Sequence, residues 1–314
     1  MRILVTGCNG FVGRHALAQF AARGHDLCGG DIAGTPPDGL PYLLFDATRP
    51  DTIRNVLTTF HPDAILHLGG MAFVPTAWEH PQPVFEVNTL GPLNLLEAQR
   101  DLLPDARTLL VTSAEVYGCG PGTANSATAG AITEDTPLCP DNIYGVTKAA
   151  ADQAARLYAA RHHLSLVVAR PSNHIGPGQS PRFVTSAFAS QLAAMASNAS
   201  PEMHVGNLDS LRDFTDVRDV VRAYALLLEH PRPAPAYSIA SGTLLPVRTL
   251  LETLCDIADC HPRLHVDPAL FRPTDSHPHY STALLRADTG WRPEIPLRQT
   301  LSDIYRAIAA HPGD

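Results

Sequence analysis

Ile3, Leu4 and Val5 form a short apolar run that stops at Thr6 and passes straight into glycines. Behind the glycines, Phe11, Ala16, Leu17 and Phe20 recur at the spacing of one buried helix face. Leu27 to Gly30 predicts a second strand, Tyr42 to Phe45 a third, and Ala64 to Leu68 a fourth. The more polar stretch Asp51 to Thr59 lies between the last two as a helix. A long helix is expected over Pro83 to Arg100, a strand over Thr108 to Thr112, and a helix from Tyr144 to about His162. Ser165 to Ala169 predicts the next strand. Apolar strands alternating with helices of this length predict an α/β fold, a doubly wound parallel sheet covered on both faces.

After Arg170-Pro171 the rhythm changes, and Pro, Gly, Ser and His become frequent among short helices and isolated strands such as Tyr237 to Ala240. This predicts a nucleotide-binding domain over 1–171 and a smaller, mainly substrate-binding lobe over 172–314, closing over the crevice at the strand ends. The apolar helix Val217 to Leu228 is expected to rejoin the first domain, at about 214–232.

The 314 residues are 45% hydrophobic, enough for a substantial core. With a net charge of -8 and no run of Lys and Arg, neither nucleic acid nor an anionic membrane is expected as the main partner. Any anionic ligand must then be met by individual arginines. No apolar stretch reaches the ~18 residues of a membrane span, and the first residues lack the pattern of a secretory signal. The six cysteines are scattered without a C-x-x-C pair, which points to reduced thiols and a cytoplasmic location. His162-His163 and His277-Pro278-His279 lack partnering Cys or carboxylate motifs, so no metal is expected.

Gly7-Cys8-Asn9-Gly10-Phe11-Val12-Gly13 follows a strand and opens a helix. Glycines there let the backbone approach a pyrophosphate, whose charge the helix amino end favours, as in a Rossmann-type fold. Asp31 ends the second strand, where a carboxylate accepts both ribose hydroxyls and repels a 2′-phosphate, so NAD is expected over NADP. Asp46 and Ala47 are placed near the adenine, and Leu68-Gly69-Gly70 beside the cofactor.

Tyr144 and Lys148 stand four residues apart, one turn of one helix face. A phenol is a poor base at neutral pH, and a neighbouring cation is expected to lower its pKa. Ser113 ends the fifth strand, where parallel-sheet enzymes keep their chemistry, and is expected to hydrogen-bond a substrate oxygen. Glu115 is two residues on, either a second acid-base group or a turn carboxylate.

The glycine loop with Ser113, Tyr144 and Lys148 resembles the extended short-chain dehydrogenase/reductases that modify nucleotide sugars, over essentially the whole chain. Arg170 to Gln179, Leu211 to Asp219, Phe271 to Asp275 and Thr289 to Pro293 look like GDP-6-deoxy-4-keto-mannose reductases and the related GDP-mannose 4,6-dehydratases. The resemblance implies that Asn173 faces the sugar and His174 the nicotinamide. Arg212 and Arg272 would meet the diphosphate, with Asp275 also in the substrate site. It also implies a homodimer paired through the helices at 83–100 and 144–162. Asp31 departs from what a reductase drawing on NADPH would carry, and His277-Pro278-His279 departs from the residues usual after the Arg-Pro motif. Three activities follow. The leading one is reduction of the C4 ketone of a GDP-6-deoxy-4-ketohexose, with a GDP-rhamnose-type product. The second is a 4,6-dehydratase or C4 dehydrogenase on a GDP-manno sugar, hexose or heptose, with retained NAD and Glu115 as acid-base. The third is a non-catalytic nucleotide-sugar or NAD-sensing protein, against which the intact Ser113, Tyr144 and Lys148 set argues.

Overall fold

A computed structural model describes residues 1–34, 39–118, 131–195, 202–229, 236–270 and 278–310. Its first half runs β1 (Arg2–Thr6), α1 (Phe11–Ala22), β2 (Asp26–Asp31), β3 (Tyr42–Leu44), α2 (Pro50–Phe60) and β4 (Ala64–His67). There follow α3 (Val74–Glu79), α4 (Pro81–Phe85), α5 (Gly91–Leu102), β5 (Arg107–Val111), α6 (Ile143–His162) and β6 (Ser165–Pro171). The second half is β7 (Asn173–Ile175), α7 (Val184–Met195), β8 (Glu202–Val205), β9 (Leu211–Asp216), α8 (Val217–Glu229) and β10 (Ala236–Ile239). It ends with β11 (Leu244–Pro246), α9 (Val247–Ala258), β12 (Arg263–Val266), α10 (Ala283–Thr289) and α11 (Leu297–Ala310).

Seven strands form one sheet in the order β10-β6-β5-β4-β1-β2-β3, and every pairing in it is parallel. Val5, Leu66, Leu109 and Val167 pack on one face against Leu17 and Phe20 of α1 and Val220 and Tyr224 of α8. Leu4 and Ile65 pack on the other, against Val56 and Leu57 of α2 and Leu95 of α5. α6 covers the same side further along, through Ala155 and Ala159. Both faces are therefore dry, which is why these strands read as unbroken apolar runs. The strand expected over Tyr237–Ala240 is not isolated: it is the sheet's outer strand, paired with β6 through Tyr237↔Ala169.

The remaining elements make a second, smaller core in which Phe188 and Leu192 of α7, Leu250 and Leu254 of α9, and Leu301 of α11 meet Phe214 of β9. Its strands form β11-β9-β7 and a parallel β12–β8 pair. No helix among the described residues is long and apolar enough to cross a membrane.

The single helix expected over Pro83–Arg100 is divided. Between α4 and α5 lies a π-helical turn, Glu86–Leu90. Pro92 has no N–H for the carbonyl of Asn88 four residues back, and Gly91 N–H turns to Glu86 O, five residues back. The extra residue in this turn buries Asn88 to 1% exposure.

Three aspartates at the β9–α8 junction, Asp213, Asp216 and Asp219, are all buried. Asp213 accepts from Ser172 Oγ at 2.9 Å and from the amides of Ser241, Gly242 and Thr243 at 2.8, 2.8 and 3.1 Å. Asp216 accepts from Thr300 Oγ1 at 2.6 Å. Asp219 accepts from the amides of Glu294 and Ile295, each at 2.9 Å. Each carboxylate thus ties a different distant segment to one connector.

Candidate active site

The turn after β1 brings Gly7 to φ +69°, and a Cβ there would lie 3.0 Å from the amide nitrogen of Gly69. Only glycine admits both that backbone and that approach. Gly10 caps α1 without any side-chain hydrogen bond. The first-turn amides of Phe11, Val12 and Gly13 are consequently left to an anion, and the turn fits a dinucleotide pyrophosphate. Cys8 within it is no nucleophile: burial, then the Asp31 charge, push its thiol up to about 11.

Asp31, at the end of β2, accepts from Asn9 N at 3.0 Å and from Ile32 N at 2.8 Å. Asp46 follows β3 and takes Thr48 N and Thr48 Oγ1 at 2.9 and 2.7 Å, while Ala47 O receives Asn94 Nδ2 at 2.9 Å. Because the strands are parallel, Asp46, Asp31, the glycine loop, Leu68 to Gly70 and Ser113 follow one another along the carboxyl edge.

Ser113 caps a 3-10 turn, Ala114–Tyr117, and its Oγ accepts from Glu115 N at 3.2 Å. Opposite this turn, Asn142 caps α6 by accepting from Gly145 N at 2.8 Å, which sets the helix start at Ile143, one residue before Tyr144. A Cβ at Gly145 would come 2.7 Å from Glu115 O, so glycine lets the helix lie against the Ser113 turn. Glu115 Oε2 accepts from Asn142 Nδ2 at 2.9 Å.

Tyr144 is buried among Ala77, Val84 and Met71. That burial pushes its phenol well above the ordinary value; a hydrogen bond with Ser113 opposes the rise, and the Glu115 charge adds to it. This corrects the expectation that Lys148 lowers the phenol. Lys148 Nζ donates to Val111 O at 3.1 Å, and a Cβ on Gly70 would lie 3.2 Å from it. Its own burial lowers the amine to about 8. The pair therefore presents a neutral phenol joined to Ser113 and a cation held under Gly70.

His174 stacks on Phe11 at 6.2 Å with ring planes 8° apart. Its Nδ1 donates to Ser172 O at 3.1 Å, and burial lowers its pKa, which leaves the ring neutral with Nε2 as the acceptor. Asn173 Nδ2 donates to Asp213 O at 3.3 Å, and Asn173 pairs with Phe214 of β9. Arg212 stands two residues earlier on that strand, half-buried, with Nη1 donating to Leu211 O at 3.2 Å. Arg272 and Asp275, like His277, lie outside the described residues.

Two contributors escaped the sequence reading. Asn88 Oδ1 accepts from Met71 N at 2.8 Å, and its Nδ2 donates to Met71 O at 3.0 Å and Thr147 Oγ1 at 3.1 Å. It thereby locks the strip beside Lys148. An asparagine inside an apolar run just before Gly91-Pro92 was the available signal. The other is Asp213, hidden behind the arginine of the same motif. Arg170 proves structural: it is 1% exposed and holds Asp152 through Nε–Oδ2 and Nη2–Oδ1 at 2.7 and 2.9 Å.

The fold is that of a dinucleotide-binding enzyme, and it groups Ser113, Tyr144 and Lys148 at the sheet's carboxyl edge. Residues 3–240 match the model of the NAD dependent epimerase/dehydratase family, and the chain belongs to that family. It is 37% identical over 306 residues to the GDP-6-deoxy-D-mannose reductase of Pseudomonas aeruginosa, covering 96% of this chain and 95% of that one. It is 28% identical over 264 residues to the GDP-6-deoxy-D-talose 4-dehydrogenase of Aggregatibacter actinomycetemcomitans, covering 82% and 80%. The solved structure of RMD from Pseudomonas aeruginosa complexed with NADPH superposes with a TM-score of 0.83 at 34% identity, over 98% of this chain and 99% of that one.

Proposed function

We propose that this protein reduces the C4 ketone of a GDP-6-deoxy-4-ketohexose to the alcohol, giving a GDP-rhamnose-type product. The observation that carries the reading is Tyr144, a phenol kept neutral by burial and joined to Ser113, as a proton donor requires. The reductase likeness over nearly the whole chain supplies the substrate class. Ser113 and Tyr144 hydrogen-bond the ketone oxygen and polarise C4. A reduced nicotinamide dinucleotide, held by the turn from Gly7 to Gly13, would supply the hydride for C4. The Tyr144 O–H bond breaks as its proton passes to the C4 oxygen, and the Lys148 ammonium steadies the phenolate left behind. Arg212 and Arg272 hold the diphosphate, as guanidinium forks suit it. Asn173 faces the sugar, Asp275 belongs to the substrate site, and His174, stacked on Phe11, would line the nicotinamide.

NADH is the preferred reductant in this reading, because a 2′-phosphate would meet the Asp31 carboxylate. That runs against the NADPH of the Pseudomonas relative, so exchange of Asp31 is the deciding comparison. A second reading, dehydration with retained NAD, has one observation in its favour: the Glu115 charge acts on the Tyr144 phenol. One assay separates the two. Purified protein is given GDP-mannose alone, and separately the 4-keto-6-deoxy derivative with NADH or NADPH. Nicotinamide oxidation only with the ketone supports reduction. A 4-keto product from GDP-mannose without added cofactor would sink it. NADH should outperform NADPH, and Asp31→Ser should narrow the gap.

The working form is a homodimer in the cytoplasm. Helices α5 and α6 lie side by side, and Leu90, Val146 and Leu157 are exposed on or beside them. The thiols of Cys8, Cys28, Cys139, Cys255 and Cys260 are unpaired with one another, as suits a reducing compartment.

A further inference from the structure

The Ser113 turn and the first turn of α6 are separate in sequence, and one side chain bonds to both. Asn142 Oδ1 accepts from Gly145 N at 2.8 Å, capping the helix that carries Tyr144. Its Nδ2 donates to Glu115 Oε2 at 2.9 Å and to Asp141 Oδ1 at 3.2 Å. Glu115 is fixed in turn to the serine, whose Oγ accepts from Glu115 N at 3.2 Å. A continuous chain of hydrogen bonds thus runs from Ser113 through Glu115 and Asn142 to Gly145, next to Tyr144. Asn142 and Glu115 are both half-buried, so the bond from amide to carboxylate is partly shielded from water.

The backbone around this bridge is close-packed. Cys139 N donates to Val116 O at 3.0 Å, and a Cβ on Gly118 would run into Cys139 O. A Cβ on Gly145 would meet Glu115 O at 2.7 Å and Pro140 Cβ at 3.1 Å. Lys148 secures the next turn of the helix to β5, through Nζ to Val111 O at 3.1 Å. Asn142 and Lys148 therefore hold α6 on either side of Tyr144. Capping a helix needs only an acceptor oxygen, which Ser and Asp supply as well as Asn. The donor half of Asn142 goes beyond capping, and it is this half that the Glu115 carboxylate accepts from.

We propose that Asn142 and Glu115 form a positioning pair that sets Ser113 against Tyr144, the Glu115 carboxylate acting through this bond and not as a proton carrier of its own. The pair rests on the reductase reading above, in which Ser113 and Tyr144 must reach one ketone oxygen. Moving a reacting group by about an ångström costs on the order of a hundredfold in rate. A hydrogen bond to an ionised group resists such a shift better than a neutral one.

The test exchanges donor and acceptor. Asn142→Ser and Asn142→Asp keep the cap oxygen and lose the donor, and Asn142→Asp also sets a second carboxylate against Glu115. Asn142→Asp combined with Glu115→Gln restores the bond in reverse, with an amide at 115 donating to a carboxylate at 142. Steady-state reduction of the 4-keto-6-deoxy GDP sugar is measured beside deuterium uptake by the full-length protein. The kcat should fall about tenfold in Asn142→Ser and further in Asn142→Asp, with KM for the ketone within about threefold. The double variant should recover most of that loss. Uptake over 114–118 should quicken in both single variants and slow again in the double one, while α6 stays as slow as in the parent. Unchanged kcat in both single variants would overturn the proposal. A double variant that regains slow exchange without rate would also overturn it, since Glu115 would then carry the proton itself. Exchange over 114–118 that ignores the swap would do the same. A parent that reduces no 4-keto sugar, with exchange that follows the swap, would remove the reductase reading and leave the pair standing.

Discussion

Burial moves Tyr144 and Lys148 in opposite directions: the phenol is held protonated, and the amine is lowered to about 8. The sign of the resulting pH dependence follows. Tyr144 keeps its proton throughout the neutral and mildly alkaline range, so it gives ketone reduction no alkaline limb of its own. Lys148 loses its charge as pH rises through about 8, and reductive kcat/KM should fall from there by about tenfold per pH unit. A steady-state pH profile checks this, and Lys148→Met should be slow and flat across it. A profile that turns down only above pH ~10 would instead report an ordinary amine. Stability moves the other way. The folded amine sits below its unfolded value of 10.5, so burying the cation costs about 3 kcal/mol below pH 8, and that cost fades between 8 and 10.5. Ser113, Tyr144 and Lys148 were legible in the sequence because an apolar strand run ends at Ser113, a four-residue spacing puts the other two on one helix face, and a glycine loop precedes them all. The direction of the Tyr144 shift was not legible. It depends on Ala77, Val84 and Met71, which only the fold brings around the ring.

At the level of elements, the π turn decides which way Asn88 faces. Alanine at 88 would leave Met71 N–H and C=O without their partners, at a cost of about 2–4 kcal/mol. Urea unfolding should register that loss, and turnover should fall with it as the strip beside Lys148 slackens. A regular helix over 83–100 was the natural reading of the apolar spacing, since a one-residue bulge leaves the surrounding periodicity almost intact. The join of α6 to β6 is a different case. Asp152 carries Arg170 on both oxygens inside the core, and Arg156 Nε reaches Oδ1 at 2.8 Å. Asp152→Ala strands a buried guanidinium and should destabilise the protein by about 3–5 kcal/mol, measured by thermal or denaturant unfolding. The pair is 18 residues apart in sequence, with no periodicity to signal it.

For the whole molecule, the alternation of strands and helices was readable from Ile3 onward because both sheet faces are covered. The seventh strand was harder, since β10 is only four residues long and lies beyond an excursion into the second core. The proposed dimer belongs to this scale too. Leu157 is 74% exposed in the middle of α6, and Arg100 of α5 bonds Tyr158 beside it. Solution scattering at tens of micromolar should return twice the mass of one chain, and Leu157→Glu should return a single mass while keeping the fold. A parent protein of single-chain mass at that concentration would reject the pairing.

The three buried aspartates of the β9–α8 connector carry a consequence for the rate at which backbone protons leave. Amides in surface loops ordinarily exchange with solvent almost as fast as in a free peptide. Those of Ser241, Gly242 and Thr243, and of Glu294 and Ile295, instead point at carboxylates that water does not reach. Deuterium uptake in these two segments should lag neighbouring loop amides by about tenfold or more. Asp213→Asn should release the first segment alone, leaving the second as slow as before, because a different side chain clamps each.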